Sequence, residues 1–323
     1  MHPTLRRTNG SWTTPLRAIF GHAVVAGILI LAAGCDKQAA PVRRATLSSL
    51  AGKPTTLFLL FGDRSDPRLL PVGLVSSGKI APITLDSAGW HAFDNTYFGA
   101  GSPVSLYKDG LATTPATVRR GMWTDSDVLY KLPGCHSLRP LAAVSMPAGD
   151  ANAGPTVEML ASSAPFPAAP VRSVPSAEDL DSATAFAARA AQRAGLTKSE
   201  RDELELRVQA IPTGATTRPT LVVAYSEKGS TGGASGRQVF GLADFGVDSY
   251  AGTYSHVASD SAPEFRRVID HLDLTGDGMD EIILEGWGDR SESFLVVLQF
   301  TGGKWREVAR STSSWCADEK SAG

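Results

Sequence analysis

Most of the chain consists of short apolar runs separated by polar turns, a pattern that predicts β-strands. Residues 55–61 (TTLFLLF) form a compact apolar run of strand length, and Asp109-Gly110 is typical of a tight turn between strands. Further strand candidates in this part of the chain are 70–75, 80–85, 104–108, 117–123 and 128–132. The pattern therefore predicts a β-rich region over residues 53–139.

The pattern changes at residues 140–175, where alanine and proline dominate. Proline fixes the backbone angle φ and removes a hydrogen-bond donor, so regular elements are disfavoured, above all over residues 163–175. The prolines are Pro147, Pro155, Pro165, Pro167, Pro170 and Pro175. We predict a Pro/Ala-rich connection over 140–175, with a domain boundary there.

Helix signals follow this connection. Ser176 is an N-cap residue before an Ala-rich body, and Gly195 provides a C-terminal stop. Thr197 and Glu200 form a capping-box pattern for a second helix over about 198–209. The sequence predicts a pair of helices that pack against the core.

From Pro219 onward the chain again shows strand patterns and predicts an antiparallel meander. Residues 282–284 and 295–298 are continuous apolar runs, as expected for central strands buried on both faces. The strand candidates are 220–225, 238–244, 252–258, 265–274, 281–286, 294–300 and 305–310. No repeat of fixed period is visible, which argues against a solenoid or a complete propeller.

These patterns together predict a mainly β fold of the α+β class. Antiparallel sheets are expected, with the helical pair between the N-terminal β region and the C-terminal meander. The helical pair and the meander would together occupy residues 176–318.

The first 34 residues have the parts of a secretory signal peptide. Residues 1–17 carry three arginines and no acid, and residues 18–33 are almost wholly apolar. The sequence Leu31-Ala32-Ala33-Gly34-Cys35 that follows resembles the lipobox of bacterial lipoproteins. The resemblance implies that Cys35 receives a lipid and becomes the first residue, with residues 35–52 as a polar tether. The alternative is an ordinary signal peptide that happens to contain a cysteine.

Removal of this leader would leave 289 of 323 residues, enough for one large or two modest domains. The leader takes three of the 31 Lys and Arg residues, which leaves 28 against 33 acids. This acidic balance excludes a basic surface for nucleic acid, so no nucleic-acid partner is expected. The link to the membrane would then be the covalent lipid, which places the chain in the cell envelope, on its periplasmic or extracellular face.

Two cysteines remain after the anchor, Cys135 and Cys316. Two distant cysteines in an oxidising compartment favour a disulfide. A metal-binding pair or a cysteine nucleophile is the functional alternative.

The sharpest internal motif is the loop DLTGDGMDE at residues 273–281. Oxygen-bearing side chains at alternate positions of a tight glycine-containing loop are suited to Ca²⁺, which prefers six to eight hard oxygen ligands. The expected ligands are the carboxylates of Asp273, Asp277 and Glu281, the hydroxyl of Thr275 and the carbonyl of Met279. Asp280 is expected to point outward. The alternative is an Asp/Gly-rich β-turn without an ion.

The loop lacks the glutamate that an EF-hand requires at its twelfth position, where this chain has Leu284. It instead resembles the calcium hairpins of FG-GAP and VCBS-type blades in integrin-like β-propellers. This resemblance covers about residues 265–310 and implies a structural calcium ion between two strands.

Catalytic motifs are weak in this sequence. The histidines after the anchor are His91, His136, His256 and His271, and none lies in an H-x-x-H, H-E-x-x-H or G-x-S-x-G pattern. His271 is expected to be a solvated residue at a strand end, or else a neighbour of the ion. The sequence thus favours a non-catalytic binding or envelope-assembly lipoprotein, with an envelope protein or glycan as partner. The alternative is an envelope hydrolase that acts on peptide or glycan.

Overall fold

The computed structural model describes most of the chain after the predicted tether. The described residues belong to the compact unit Arg44–Gly323 and are 53–83, 85, 87–122, 129–131, 138–147, 154–168, 170, 172, 174–227, 237–259, 263–288 and 293–311. The fold is mainly β, with antiparallel sheets and a small helical share, which confirms the predicted fold class.

The N-terminal strands form a closed ring of six antiparallel strands, in the order β1-β10-β4-β6-β9-β2 and back to β1. Two short strands extend it, because β3 pairs with β2 and β5 pairs with β4. A separate pair, β7 and β8, is formed by Leu129–Lys131 and Leu138–Pro140. The other strands are β1 Thr55–Asp63, β2 Arg68–Ser76, β3 Lys79–Pro82, β4 Pro103–Lys108, β5 Leu111–Ala112, β6 Ala116–Arg120, β9 Ala142–Ser145 and β10 Thr156–Ser162.

Side-chain alternation along the ring strands divides the apolar residues between two cores. In β1, Phe58 and Leu60 contribute to the cluster inside the ring, whereas Leu57 and Leu59 contribute to a cluster outside it. The inner cluster is completed by the helix α1, Ser87–Tyr97, through Phe93 and Tyr97. The ring therefore has a filled interior and an apolar outer face.

Helix α1 was not predicted from the sequence. Its segment, SAGWHAFDNTY, contains weak helix formers such as Gly89, Asn95 and Thr96, and its first turn has no acid. Its aromatic side chains pack against one another, with the rings of Phe93 and Tyr97 4.7 Å apart. Tertiary packing inside the ring stabilises this helix, and local propensity does not.

The segment 140–175 was expected to be a connection, but it contains strands β9 and β10. Val144, Val157 and Leu160 are buried apolar residues of these strands. The strands were not predicted because alanine and proline dominate the segment around them. The described residues from 163 to 175 contain no helix or strand, as predicted. The positions of the domain limits stay a prediction.

The helical pair begins as predicted, but its second helix is much shorter than expected. Helix α2 spans Ala177–Arg193, and α3 spans only Lys198–Glu203. Residues 204–209 belong to the strand β11, Leu204–Ile211, so the prediction of a helix to residue 209 was wrong. The spacing of Leu204 and Val208 fits both helix and strand periods, and alternate residues of β11 pack against the core under α2.

The C-terminal half contains two successive four-stranded antiparallel meanders, β11–β14 and β15–β18. Their strands are β11 Leu204–Ile211, β12 Thr220–Glu227, β13 Gln238–Phe245, β14 Tyr250–Ala258, β15 Phe265–Leu272, β16 Glu281–Trp287, β17 Ser293–Thr301 and β18 Lys304–Arg310. The two meanders pack face to face through one apolar cluster that includes Phe240, Leu242, Leu284 and Val296.

Each meander is covered on its other face as well. Helix α2 packs on β11–β14 through Phe186 and its alanines. The outer face of the six-stranded ring packs on β15–β18, where Ile283 and Val297 meet Leu59. The runs 282–284 and 295–298 are therefore buried on both faces, as the sequence predicted.

The two meanders share a structural repeat that the sequence does not show. Strands β11 and β15 have eight residues each, and the loops that follow them, 212–219 and 273–280, are equal in length. Pro212 and Thr216 stand in the first loop where Asp273 and Asp277 stand in the second. The acids of the second loop are thus absent from the first, so the two loops share their length but not their sequence pattern.

Asp179 connects the start of α2 to the first meander. Its carboxylate accepts hydrogen bonds from the Ser176 backbone N–H at 2.9 Å and from the Tyr250 hydroxyl at 2.8 Å, and Arg218 Nη2 lies 2.8 Å away. Burial raises the pKa of Asp179, but the hydrogen bonds from Ser176, Tyr250 and Arg218 outweigh burial and lower the pKa to about 2. The carboxylate is therefore ionised in the folded protein at neutral pH.

The replacement Asp179→Asn should lower the free energy of unfolding by about 1 to 2 kcal/mol at pH 7, because a capping carboxylate and its charge-assisted bonds are lost. The pKa of Asp179 is lower in the folded state, so its stabilisation is present above about pH 4 and is lost as pH falls towards 2. Urea unfolding between pH 7 and pH 2 should show that the free energy of unfolding falls less steeply with acid in the variant than in the wild type. Asp181→Asn, at an exposed position of the same helix, should behave like the wild type.

Candidate functional site

The predicted calcium loop lies between β15 and β16, so both flanking segments are strands, as the resemblance implied. Gly276 and Gly278 have φ angles of 78° and 88°, in the left-handed region that favours glycine. Glycine at these two positions lets the eight-residue loop turn back on itself.

The aspartates of the loop bind its own backbone. Asp273 accepts hydrogen bonds from the N–H of Gly276 at 2.6 Å and from the N–H of Gly278 at 2.9 Å. Asp277 accepts one from the N–H of Met279 at 2.9 Å. These bonds hold the loop in its conformation through side-chain-to-backbone turns.

Glu281 is the buried acid at the end of the loop, with 1% of its surface exposed. It accepts hydrogen bonds from the Leu274 N–H at 2.8 Å, the Thr275 hydroxyl at 3.2 Å and Gln299 Nε2 at 3.1 Å. Burial raises the pKa of Glu281 to about 7, and the negative charges of Asp277 and Asp273 add to the rise. Three acids thus repel one another here, and a cation would relieve that repulsion.

The donor set suits calcium in its chemistry, because it consists of carboxylate, hydroxyl and carbonyl oxygens. Within the described residues, however, no group of three or more His, Cys, Asp or Glu side chains is arranged to hold a metal ion. Asp273 and Asp277 accept hydrogen bonds from backbone N–H groups, and each carboxylate keeps further lone pairs that could bind an ion. Calcium at this loop stays a prediction.

Asp280 was expected to point outward, and this prediction was wrong. The residue is 2% exposed, and its Oδ2 lies 2.6 Å from His271 Nδ1 and 2.5 Å from Arg172 Nη1. Its backbone N–H donates to the Thr213 carbonyl at 2.8 Å, which turns the residue towards the equivalent loop of the first meander. The side chains of His271 and Arg172 determine the direction of Asp280, and no motif near Asp280 indicates these contacts.

His271 is likewise buried, at 4% exposure, and is not the solvated strand-end residue that the sequence favoured. Asp270 precedes His271 in β15, and its carboxylate accepts a hydrogen bond from the His271 N–H at 2.7 Å. The same carboxylate accepts the N–H of Gly110 at 3.1 Å and that of Asp109 at 3.2 Å. Burial raises the pKa of Asp270, while the bonds from His271 and Gly110 oppose that rise.

The Asp109-Gly110 turn between β4 and β5 is therefore part of this region. Both residues have positive φ, 52° and 74°, and an added Cβ at Gly110 would lie 2.5 Å from His271 Cε1. Glycine is required at this point by the backbone angle and by the close approach of the imidazole. The turn fixes the six-stranded ring to the second meander.

Arg172 completes the cluster from the proline-rich segment. It donates to the Pro212 carbonyl at 2.6 Å and to the Gly278 carbonyl at 3.0 Å, in addition to its pair with Asp280. An added Cβ at Gly214 would lie 3.0 Å from its Nε. No motif pointed to Arg172, because a single arginine among prolines carries no sequence signal. We call Arg172, Asp270, His271 and Asp280 the buried polar cluster.

Comparison with models of protein families gives no match, and neither curated protein sequences nor solved structures give one.

The other residues singled out by the sequence do not join this site. Cys35, Cys135, Cys316 and His136 lie outside the described residues, so the lipid anchor and the disulfide stay predictions. His91 is exposed on α1, whereas His256 Nε2 lies 2.5 Å from the Glu264 carbonyl oxygen. Among the described residues, the helices are too short or too polar to cross a membrane.

Proposed function

We propose that the chain is a membrane-anchored extracytoplasmic lipoprotein that acts as a non-catalytic binding or envelope-assembly module stabilised by calcium. The sequence Leu31-Ala32-Ala33-Gly34-Cys35 after a basic and apolar leader supports the anchor and the compartment. A periplasmic or extracellular envelope protein or glycan is the proposed partner.

The observation that carries the non-catalytic assignment is the packing of the buried polar cluster. Its His271–Asp280 pair has the composition of a hydrolytic dyad, but both side chains are buried and the imidazole lies against the Gly110 backbone. Arg172 occupies the same carboxylate oxygen of Asp280 and links it to two loops. The cluster thus joins three parts of the fold, which is a structural use of these groups.

A calcium ion in the loop would also have a structural role. Asp270, His271 and Asp280 of the buried polar cluster lie on the same hairpin as the loop 273–281, so an ion that orders the loop would also hold Asp280 in place. Extracellular modules bind calcium with dissociation constants of about 10⁻⁴ to 10⁻³ M, in a compartment that supplies the ion at that level. Calcium would therefore stabilise the binding module and take no part in a reaction.

Cys35→Ser should abolish incorporation of radiolabelled palmitate and release the protein from the membrane fraction, because the acylated thiol is the proposed anchor. The wild type should carry the label and sediment with membranes. Cys316→Ser, which leaves the lipobox intact, should be labelled like the wild type.

The same three proteins test the binding role. Partners cross-linked in native envelopes should be recovered with the wild type and with Cys316→Ser, and lost with Cys35→Ser. An intact, unmodified N-terminus in the cytosol would refute the lipid anchor. Equal recovery of partners with Cys35→Ser would show that partner binding does not depend on the anchor.

An envelope hydrolase is the second candidate, and the 2.6 Å contact between His271 and Asp280 is the observation that favours it. A histidine oriented by a carboxylate is the base of many hydrolytic sites. Turnover of envelope peptide or glycan by the purified protein, lost in a stably folded His271→Asn variant, would establish this candidate.

A further inference from the structure

A second site lies on the six-stranded ring, away from the calcium loop in sequence and on different strands. It is a cavity of about 330 Å³ beside the turn between β1 and β2 and the ends of β6 and β9. Ligand pockets start at roughly this size, so the cavity has room for a small organic molecule. The residues that line it include Arg64, Ser65, Pro67, Arg119, Ser145 and Met146.

The turn that carries Arg64 is held in one conformation. Asp63 accepts hydrogen bonds from the Ser65 N–H at 2.8 Å and from the Ser65 hydroxyl at 2.6 Å. The Arg64 backbone N–H donates to the Pro155 carbonyl at 2.8 Å, and its Nε donates to the Gly154 carbonyl at 3.3 Å. The guanidinium at the cavity edge is thus positioned by the ring itself.

Among the described residues next to the cavity, basic groups outnumber acids. The Asp66 carboxylate forms ion pairs with both Arg68 and Arg119, so one acid serves two guanidinium groups. Arg68 is 4% exposed, and its Nε and Nη1 have no hydrogen-bond partner among the described residues. Arg68 does not line the cavity, but it shares the single charge of Asp66 with the lining residue Arg119, so an anion beside Arg119 would compensate positive charge.

The other described acid of this turn does not cancel the positive charge. The carboxylate of Asp63 belongs to the turn, and hydrogen bonds from Ser65 lower its pKa, so it is ionised. Counting it with Asp66 gives two negative groups against the three guanidinium groups of Arg64, Arg68 and Arg119.

Pro67, Val144, Met146 and Pro147 form an apolar part of the lining, and Ser65 and Ser145 add polar groups. Guanidinium groups bind carboxylate and phosphate oxygens with paired hydrogen bonds, and the apolar wall suits a short carbon chain or ring. We propose that this cavity binds a small organic oxyanion, a carboxylate or phosphate ester, with Arg64 and Arg119 as the direct donors. The site gives the binding module a small-molecule ligand class and is independent of the anchor and of calcium.

The test uses the full-length protein in detergent micelles, with hexanoate and hexyl phosphate as probes and hexanamide as the uncharged comparison. Titration calorimetry should detect millimolar or tighter binding of at least one anion and none of hexanamide. Arg119→Gln should weaken that binding by about tenfold or more, because a charge-assisted hydrogen bond to the oxyanion is lost. The two anions distinguish a carboxylate ligand from a phosphate ligand.

Two further variants keep the result interpretable. Met146→Trp, which fills the cavity and leaves every charge in place, should also abolish binding, with its melting transition recorded as a check on folding. Arg207→Gln removes an exposed arginine of β11 that pairs with Glu205 and should bind like the wild type. The proposal is overturned if no anion binds, if hexanamide binds equally well, or if Arg119→Gln and Met146→Trp bind like Arg207→Gln.

Discussion

Replacing Asp280 by alanine should lower the free energy of unfolding by about 3 to 5 kcal/mol, because it leaves the partners of a buried ion pair uncompensated. Arg172 would keep its charge at 11% side-chain exposure, and His271 Nδ1 would lose its 2.6 Å contact. Urea unfolding at pH 7 in the presence of chelator measures this loss without a contribution from calcium.

Two comparisons make the expected loss specific. Asp277→Ala changes an exposed acid of the same loop and should cost less than about 1 kcal/mol under the same conditions. Arg172→Met combined with Asp280→Ala should recover part of the loss, since the unpaired cation is removed as well. A loss from Asp280→Ala no larger than that from Asp277→Ala would mean that the cluster does not hold the three parts of the fold together.

The sequence predicted the central strands well because their pattern is local. Ile282, Ile283 and Leu284 form a continuous apolar run, and such a run requires cover on both faces. In the structure Ile282 and Leu284 face the first meander, and Ile283 faces the six-stranded ring. A pattern of three residues thus contained information about three layers of the fold.

The closed ring could not be predicted in the same way. Its closure depends on pairs that are far apart in sequence, such as Leu57 with Ser162 in β1 and β10. The segment that contributes β10 is dominated by alanine and proline, so its own composition disfavoured a strand. Long-range pairing overrode local composition here, as it did for the aromatic helix inside the ring.

The candidate site was also predicted only in part. The acids and glycines of loop 273–281 indicated its turn, and both glycines adopt the left-handed backbone conformation that such a turn requires. The direction of Asp280 was missed because it depends on Arg172, which lies 108 residues away in a segment without any motif. The sequence identified the loop as polar, whereas the fold determines which of its acids are buried.

Saturating calcium should raise the melting temperature by about 5 to 10 °C, since ion at a hundred times its dissociation constant adds about 2.7 kcal/mol to the stability. Asp277→Ala should abolish this rise, because it removes a predicted ligand. The change should leave the ion-free protein nearly intact, because Asp277 is exposed and accepts a hydrogen bond within the loop from the Met279 N–H. Differential scanning calorimetry with added calcium or chelator measures both effects, and Asp248→Ala, in an exposed turn, serves as the matched control.

The pH dependence of the same experiment separates a specific site from general ion binding. The pKa of Glu281 is raised to about 7 in the folded protein, so the folded state holds this proton more tightly than the unfolded chain. Without calcium, stability should therefore fall as pH rises from about 4.5 through 7, because deprotonation leaves a buried negative charge.

Calcium must displace that proton, so the rise in melting temperature should be larger at pH 8 than at pH 6. Glu281→Gln should remove both the fall in stability without calcium and the response to the ion. A melting temperature that saturating calcium leaves unchanged in the wild type at pH 8 would eliminate the ion site. The acids of the loop would then serve its backbone alone, with Asp273 as the bond acceptor for two glycine N–H groups.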